Sequence, residues 1–328
     1  MVKPKKEKQS SDKSLGLAGL RKHLLTAFPD AITGQGCKEV IETGSSKLDK
    51  ALGIGGLPRG RIVELYGNES SGKSTLCLSV CANAMKKGLA CLYIDYEHAL
   101  NDDHALSMGV DVNDEKFIKV QPTTHEEGMN LMEQAIASKE IGLVVIDSIA
   151  AAVPKAELEG EIGDQHMGLQ ARLNSQMLRM VTGPLAKTNC LLMVVNQTRM
   201  KIGVQWGSPV TTTGGNGMKF YASIRLDLAK IETLKEGEDV VGIKTRVKVV
   251  KNKMASPMKE ATFDIRFGYG IDEASDVLDE AVEAKKILTS GAWFALASGE
   301  KIGQGRNNAL AWLRKNRDKW EELRSTNE

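Results

Sequence analysis

The chain has 328 residues, 26% of them charged and 41% apolar, which are the fractions of a soluble globular protein with room for one large core and smaller appendages. Its formal net charge is only +2, so any affinity for a polyanion must come from a local patch. No apolar run reaches membrane-spanning length, and the start Met1-Val2-Lys3-Pro4-Lys5-Lys6 lacks the apolar core of a secretory signal, so the cytoplasm is the expected compartment.

The first dozen residues read as a basic arm, and a helical pattern follows from Leu15 to about Phe28, closed by Pro29. From Val40 onward apolar strands alternate with amphipathic helices. Strands are expected over 61–67, 91–97, 143–148 and 190–197, as near-continuous apolar runs separated by helix-sized segments, the pattern of strands buried on both faces of a parallel sheet. Three more, over 223–231, 245–253 and 261–268, alternate and are closely spaced, as antiparallel strands are. Past Gly270 the pattern becomes helix (273–289), a Gly-rich interval around 299–305, and helix again (307–316). The division expected is an arm with a helical segment (1–38), an α/β core (39–269) and a small separate C-terminal domain (270–328). Cys37, Cys77, Cys81, Cys91 and Cys190 are odd in number and sit mostly on apolar strands or one helix, so they read as reduced core thiols.

Gly67-Asn68-Glu69-Ser70-Ser71-Gly72-Lys73-Ser74 is a complete phosphate-binding loop, and it sits where such a loop must, after an apolar strand and before a helix that opens with Thr75 and Leu76. Its backbone N–H groups and the helix N-terminus attract phosphate, Lys73 reaches the β and γ oxygens, and the Ser74 hydroxyl suits Mg²⁺. Two carboxylates end buried strands. Asp147 follows Leu143-Val144-Val145-Ile146 as a metal-ordering aspartate does, and Glu97 follows Leu92-Tyr93-Ile94-Asp95-Tyr96, in position to activate water. Gln197 ends a fourth apolar strand, where its amide suits sensing of a γ-phosphate and its strand leads directly into the next loop. That loop, 198–216, is expected to be structureless, and its length reads as either a functional loop or disordered surface. Its Arg199, Lys201, Thr213, Gly214, Gly215 and Asn216 suit phosphate contacts, and Ile202 and Trp206 suit bases. A shorter loop, 160–167, precedes a helix on which Met167 joins an apolar stripe while Arg172, Ser175 and Arg179 lie to the other side. Taken alone, the arginine pair reads first as a solvated face.

The phosphate loop, Ile94-Asp95-Tyr96-Glu97-His98-Ala99-Leu100, His166-Met167-Gly168-Leu169, Asn196-Gln197-Thr198-Arg199-Met200-Lys201-Ile202-Gly203, Thr211-Thr212-Thr213-Gly214-Gly215-Asn216 and Arg246-Val247-Lys248-Val249-Val250-Lys251-Asn252-Lys253 together resemble, in order, the motifs of the bacterial RecA family. The resemblance implies an α/β fold: a P-loop ATPase core whose mostly parallel sheet is extended by antiparallel strands, a small N-terminal helical segment and a small α+β C-terminal domain. It implies a DNA-dependent ATPase that uses ATP and Mg²⁺, polymerises as a helical filament on single-stranded DNA, pairs it with homologous duplex and exchanges strands in recombinational repair. Both loops would then grip DNA, with Met200 and Ile202 among the contacts. Glu97 is implied as catalytic base, Gln197 as γ-phosphate sensor, and Lys251 and Lys253 as lysines that reach the ATP of a neighbouring protomer. Lys219 and Phe220 fall at the protomer interface, Asn101, His104 and Phe267 at the nucleotide, and Lys301 and Arg306 in the part that captures duplex DNA. Family partners also include a self-cleaving repressor and single-strand-binding or loader proteins, and whether this chain engages them is left open.

The chain departs from the family at several positions. His104 stands where a tyrosine usually stacks on adenine, Asn101 stands for an aspartate, Trp206 for a phenylalanine and Val210 for an acid, and the chain ends at Glu328 without a long acidic tail. Competing readings of the same ATPase core are a ring helicase or motor, which would use an arginine finger in trans, and a regulatory paralogue that binds DNA without strand exchange.

Overall fold

The computed structural model describes residues 16–27, 39–161, 168–200 and 210–325. The chain divides into two units, residues 1–36 and 37–328. In the first, α1 (Leu17–Ala27) is helical within the expected interval, with Leu17, Leu20, Leu24 and Leu25 exposed. The basic arm and Pro29 lie outside the described residues.

The second unit opens with a two-stranded ribbon of β1 (Val40–Ile41) and β2 (Leu57–Pro58) around α2 (Ser46–Leu52). Alternation then begins: β3 (Ile62–Gly67), α3 (Lys73–Lys86), β4 (Ala90–Asp95), α4 (Asp102–Ser107), β5 (Phe117–Val120), α5 (His125–Ser138), β6 (Ile141–Asp147), α6 (Lys155–Leu158), α7 (Leu169–Thr188) and β7 (Leu191–Met200). After β8 (Val210–Thr212) and α8 (Gly217–Tyr221) come β9 (Ile224–Glu236), β10 (Asp239–Asn252), β11 (Glu260–Arg266) and β12 (Gly270–Ile271). The strand order is β12-β11-β10-β9-β3-β7-β6-β4-β5, with β8 on β7. From β9 to β5 all neighbours are parallel, and β10, β11 and β12 extend the edge antiparallel.

The central strands read as unbroken apolar runs because both faces are covered. Val63, Leu65, Leu143, Val145, Leu191, Met193 and Val195 point to the layer that holds α2 and α3. Ile62, Val144, Ile146, Leu192 and Val194 point to the layer that holds α5 and α7. Each fully buried side chain of this size contributes about 1.5–3 kcal/mol. Cys77, Cys81, Cys91 and Cys190 are buried free thiols in these layers, and Cys37 lies outside the described residues.

Three expectations need correction. The interval 198–216 is not structureless throughout: β7 runs on to Met200 and β8 pairs back on it, Thr198 opposite Thr212, so the loop stands on a β-ribbon whose tip, 201–209, lies outside the described residues. The helix expected over 273–289 ends early, as α9 (Glu273–Glu283), because Lys285 takes a left-handed φ of 58° and Ile287 pairs with Leu296. The Gly-rich interval belongs to a three-stranded antiparallel sheet, β13 (Ile287–Ser290), β14 (Trp293–Leu296) and β15 (Lys301–Gln304), whose four-residue strands carry too few residues for a clear period. Two helices, α10 (Arg306–Lys315) and α11 (Arg317–Ser325), complete a third apolar cluster with Leu278, Ile302, Leu313 and Trp320.

Polar contacts seat α9 on α2. Ser45 Oγ donates to Asp276 at 2.5 Å, Lys47 pairs with Asp279 at 2.5 Å, and Lys50 pairs with Glu280 at 3.0 Å. Burial pushes the Asp276 carboxyl up to about 6 and that of Asp49, which accepts the Thr43 N–H on α2's flank, up to about 7. An acid whose folded pKa is raised holds a proton that the unfolded chain releases, so stability falls as pH rises from about 4 through about 7. Asp49→Asn, neutral at all pH values, should therefore raise the thermal midpoint at pH 8, by about 2 kcal/mol of stability, and flatten the decline between pH 5 and 8. Calorimetry across that range checks it, and an unchanged slope would place the proton elsewhere.

Candidate functional site

The parallel register carries the polar strand ends to one edge. Gly67 of β3 lies opposite Gln197 of β7, and Asp95 of β4 lies opposite Asp147 of β6. This is the carboxyl end of the parallel strands, where α/β sheets place ligands.

The loop from Gly67 to Ser74 joins β3 to α3 there. Lys73 Nζ donates to the carbonyl oxygens of Gly67 at 3.2 Å and Asn68 at 2.7 Å, which curls the loop around its own lysine. Burial lowers the Lys73 pKa from its ordinary value, against the pull of Asp147 and Glu97, the carboxylates that face it. Ser74 favours the charged form of the Asp147 carboxylate, and Tyr93 donates to Asp147 Oδ2 at 2.6 Å. Burial nevertheless raises the Asp147 pKa. Ser71 Oγ is buried without a hydrogen-bond partner. A buried hydroxyl with unused capacity and an ammonium held at the mouth of the loop fit a phosphate chain, and the Ser74–Asp147 pair fits a divalent cation.

Glu97 stands just past β4 and is exposed. Ser148 Oγ donates to its Oε1 at 2.5 Å, and Gln197 Nε2 donates to the same oxygen at 3.1 Å. Thr198, the next residue on β7, donates to Asn68 Oδ1 at 2.8 Å, so the base of the ribbon touches the phosphate loop. Sequence reasoning missed Tyr93, Ser148 and Thr198. The signal available was polarity: a tyrosine inside an apolar strand, and hydroxyls directly after Asp147 and Gln197.

The remaining expected residues divide by position. Asn101 caps α4, accepting the His104 N–H at 2.9 Å, while Phe267 is exposed in the turn between β11 and β12. Arg172 and Arg179 are exposed on α7, and Ser175 is turned back on the helix, donating to Ala171 O at 2.8 Å. Thr213 and Gly214 are held against the core, Thr213 by Asn196 and Gly214 by Asn174, with Gly215 and Asn216 exposed beside them. Arg199 is exposed on the ribbon, and of Met200 only the backbone is described. Met167, Lys201, Ile202 and Trp206 lie outside the described residues.

Lys251 and Lys253 stand apart from the phosphate loop. Lys251 lies opposite Arg225, and Arg225 opposite Glu64, three residues before Gly67. Two strands across and three residues along amount to roughly 14 Å of backbone separation. Both amines cap α8 instead: Lys251 Nζ donates to Lys219 O at 2.6 Å and Phe220 O at 3.2 Å, and Lys253 Nζ to Phe220 O at 3.3 Å. Burial, with Lys253 and Arg225 adding to it, lowers the Lys251 pKa. Phe220 itself is exposed. In the C-terminal region Lys301 is exposed over the Trp293 ring, at 4.8 Å, whereas Arg306 is committed to Asp279, to Ser275 at 2.7 Å and to Asp264 at 3.7 Å. The two were expected to act together on duplex DNA, and the structure leaves the Arg306 charge already partnered.

Residues 33–272 match the RecA N-terminal domain and residues 275–326 the RecA C-terminal domain. The chain is 53% identical over 278 residues to Protein RecA of Laribacter hongkongensis, covering 85% of this chain and 78% of that one. It is 54% identical over 274 residues to Protein RecA of Geobacter sulfurreducens, with 84% and 80% covered. Against Protein RecA of Delftia acidovorans the identity is 52% over 278 residues, with 85% and 75% covered. With both domains matched in order and the phosphate loop, Asp147 and Gln197 gathered at one sheet edge, the chain belongs to the RecA family.

Proposed function

We propose that this chain is a DNA-dependent ATPase and homologous recombinase that binds ATP at the strand ends, assembles as a helical filament on single-stranded DNA, pairs it with homologous duplex and exchanges strands. The observation that carries this reading is the shared oxygen of Glu97: Gln197 bonds it from the strand that continues into the β7–β8 ribbon, so the water-activating group and the DNA-facing loop are one contact apart. In this reading Glu97 accepts the proton of the attacking water, with Ser148 and Gln197 orienting the carboxylate. Lys73 balances charge that develops between the β and γ phosphates. Ser74 and Asp147 would hold Mg²⁺, which supplies further charge neutralisation there. Asn101, His104 and Phe267 face the base, and Arg172, Arg179 and the ribbon residues face DNA.

The position of Lys251 and Lys253 argues for a site shared between protomers. Their distance from their own phosphate loop, beside the exposed Phe220, supports a reading in which they complete a neighbour's. ATP would then bridge two copies, so its binding stabilises the filament.

Lys73→Ala should lower ATP turnover by about 100-fold or more, and turnover near that of the unmodified chain would exclude this site. Glu97→Gln should preserve nucleotide binding and filament formation while slowing hydrolysis about 100-fold or more; failure to bind ATP would make Glu97 structural. Mixing Glu97→Gln with Lys251→Ala/Lys253→Ala should restore hydrolysis, because some interfaces then join an intact Glu97 to intact lysines. Absence of recovery in demonstrably mixed filaments would return the lysines to their own protomer. Replacing both Arg172 and Arg179 by Ala should flatten the salt dependence of single-stranded DNA binding by about one to two units of slope, and an unchanged slope would return the pair to a solvated face. Electron microscopy with ATP and single-stranded DNA separates the alternatives: open helical filaments are expected, and closed rings would favour a ring motor.

A further inference from the structure

Behind the Glu97–Gln197 contact runs a second polar path, and it is buried. Tyr96, the residue before Glu97, is 8% exposed, His125 is 0% and Asn174 is 1%. Tyr96 donates its backbone N–H to the backbone carbonyl of Asp147 at 2.8 Å, so its main chain is fixed to that of Asp147 and leads directly into Glu97. Its hydroxyl lies 3.5 Å from His125 Nδ1 and 3.2 Å from His125 O, and the two rings meet edge to face. Asn174, on α7, donates its amide N–H to Gly214 O at 3.3 Å, in the segment that follows the ribbon.

Two glycines make room for this path. A Cβ on Gly128, inside α5, would fall 1.9 Å from the Tyr96 hydroxyl oxygen, so only glycine lets the tyrosine reach the helix start. A glycine in a helix destabilises it relative to alanine, and the tyrosine contact accounts for its presence here. A Cβ on Gly214 would fall 2.2 Å from Asn174 Nδ2, and its φ of +74° suits glycine as well.

One link in the path is incomplete. His125 Nε2 and Asn174 Oδ1 are both buried without a hydrogen bond of normal geometry, yet Asn174 raises the proton affinity of the imidazole, so the two are electrostatically in touch. Burial outweighs that effect and lowers the His125 pKa, which leaves the ring neutral at pH 7 with one nitrogen to donate and one to accept. An Nε2–H facing Asn174 Oδ1 is the pairing that would satisfy both atoms. A buried donor and acceptor left unmade are each destabilising, so a small shift of Asn174 that closes the gap is favoured by the core itself.

We propose that Tyr96, His125 and Asn174 are positioning residues that transmit the state of the DNA-facing segment at Gly214 to the Glu97 carboxylate, by closing the His125–Asn174 contact when that segment engages single-stranded DNA. The inference rests on the proposed DNA-dependent ATPase reading. With Asn196 pinning Thr213 from the other side, the path completes a ring: Glu97, Gln197, Asn196, Thr213, Gly214, Asn174, His125, Tyr96 and back to Glu97. A displacement of the segment is then felt by Glu97 from two directions, through Gln197 and through its own preceding residue.

The test is a double-mutant cycle on DNA-stimulated ATP turnover with the full chain and a single-stranded oligonucleotide. Tyr96→Phe removes one hydroxyl and keeps the ring; Asn174→Leu removes the amide. Each should lower maximal DNA-stimulated turnover at least threefold. The DNA and ATP concentrations for half-maximal activity should change less than twofold, a split that a general loosening of the fold would not produce. The double variant should be no slower than the slower single variant, because both cut the same path. If Asn174→Leu does not fold, Tyr96→Phe decides alone by the same turnover and half-saturation criteria. Multiplying effects, or unaltered stimulation in Tyr96→Phe beside a normally stimulated unmodified chain, would overturn the path and leave the ATPase reading intact. An unmodified chain that DNA does not stimulate would overturn both.

Discussion

The register of the parallel strands is the constraint on which the rest of this structure depends. Side chains alternate between faces with a period of two, so a slip of one residue in β6 or β7 would turn the apolar set away from its layer and move a functional end to the wrong face. Val63, Val145 and Met193 pack on the α3 layer, while Ile62, Val144 and Leu192 pack on the α7 layer. Both layers must be satisfied together, which leaves one register. Gly67 beside Gln197 and Asp95 beside Asp147 are its direct consequences. Burial of apolar area thus determines the spacing of charged groups that contribute nothing to that burial.

The same sheet carries a buried ion pair. Glu64 is fully buried in β3, Arg225 sits beside it on β9 and also lies over the Tyr66 ring at 4.7 Å, and Asn196 donates to the other Glu64 oxygen at 3.0 Å. Such a pair adds little net stability, because desolvation offsets most of its Coulomb attraction, but removal of one partner strands the other charge. Its location is informative. Asn196 also holds Thr213, so the pair anchors the segment that returns from the ribbon, and Arg225 lies opposite Lys251 in the next strand. A polar spine crosses the middle of an apolar sheet, with the segment that returns from the ribbon at one end and Lys251 at the other.

Seating of the C-terminal region, 273–325, follows a different physical rule. Its own apolar cluster closes around Leu278, Ile302 and Leu313, and much of what holds α9 to α2 is charge and hydrogen bonding. Polar interfaces of this kind are sensitive to pH and salt in a way that the sheet core is not. Arg306 is held within that interface, so its charge serves the seating of the region, and Lys301 over Trp293 remains presented to solvent.

By itself the sequence determined the order of the core strands along the chain, the strand–loop–helix context of Gly67 to Ser74, and the placement of Glu97, Asp147 and Gln197 at strand ends. All of these are local: period, composition and turn chemistry act over a few residues. The four-residue strands β5, β13, β14 and β15 were not legible, because too few residues carry the period and their pairing is settled by neighbours. Nor was the ribbon under residues 201–209, since Thr198 and Thr212 pair only once β7 is lengthened by the sheet beside it. Tertiary structure alone decided that Tyr93 reaches Asp147, that Tyr96, His125 and Asn174 form a buried path, that Arg306 is held by Asp279, and that Lys251 caps α8 two strands from its own phosphate loop. Each of these joins residues distant in sequence, and which polar groups meet there depends on the packing of apolar side chains that carry no mark of the polar partners they bring together.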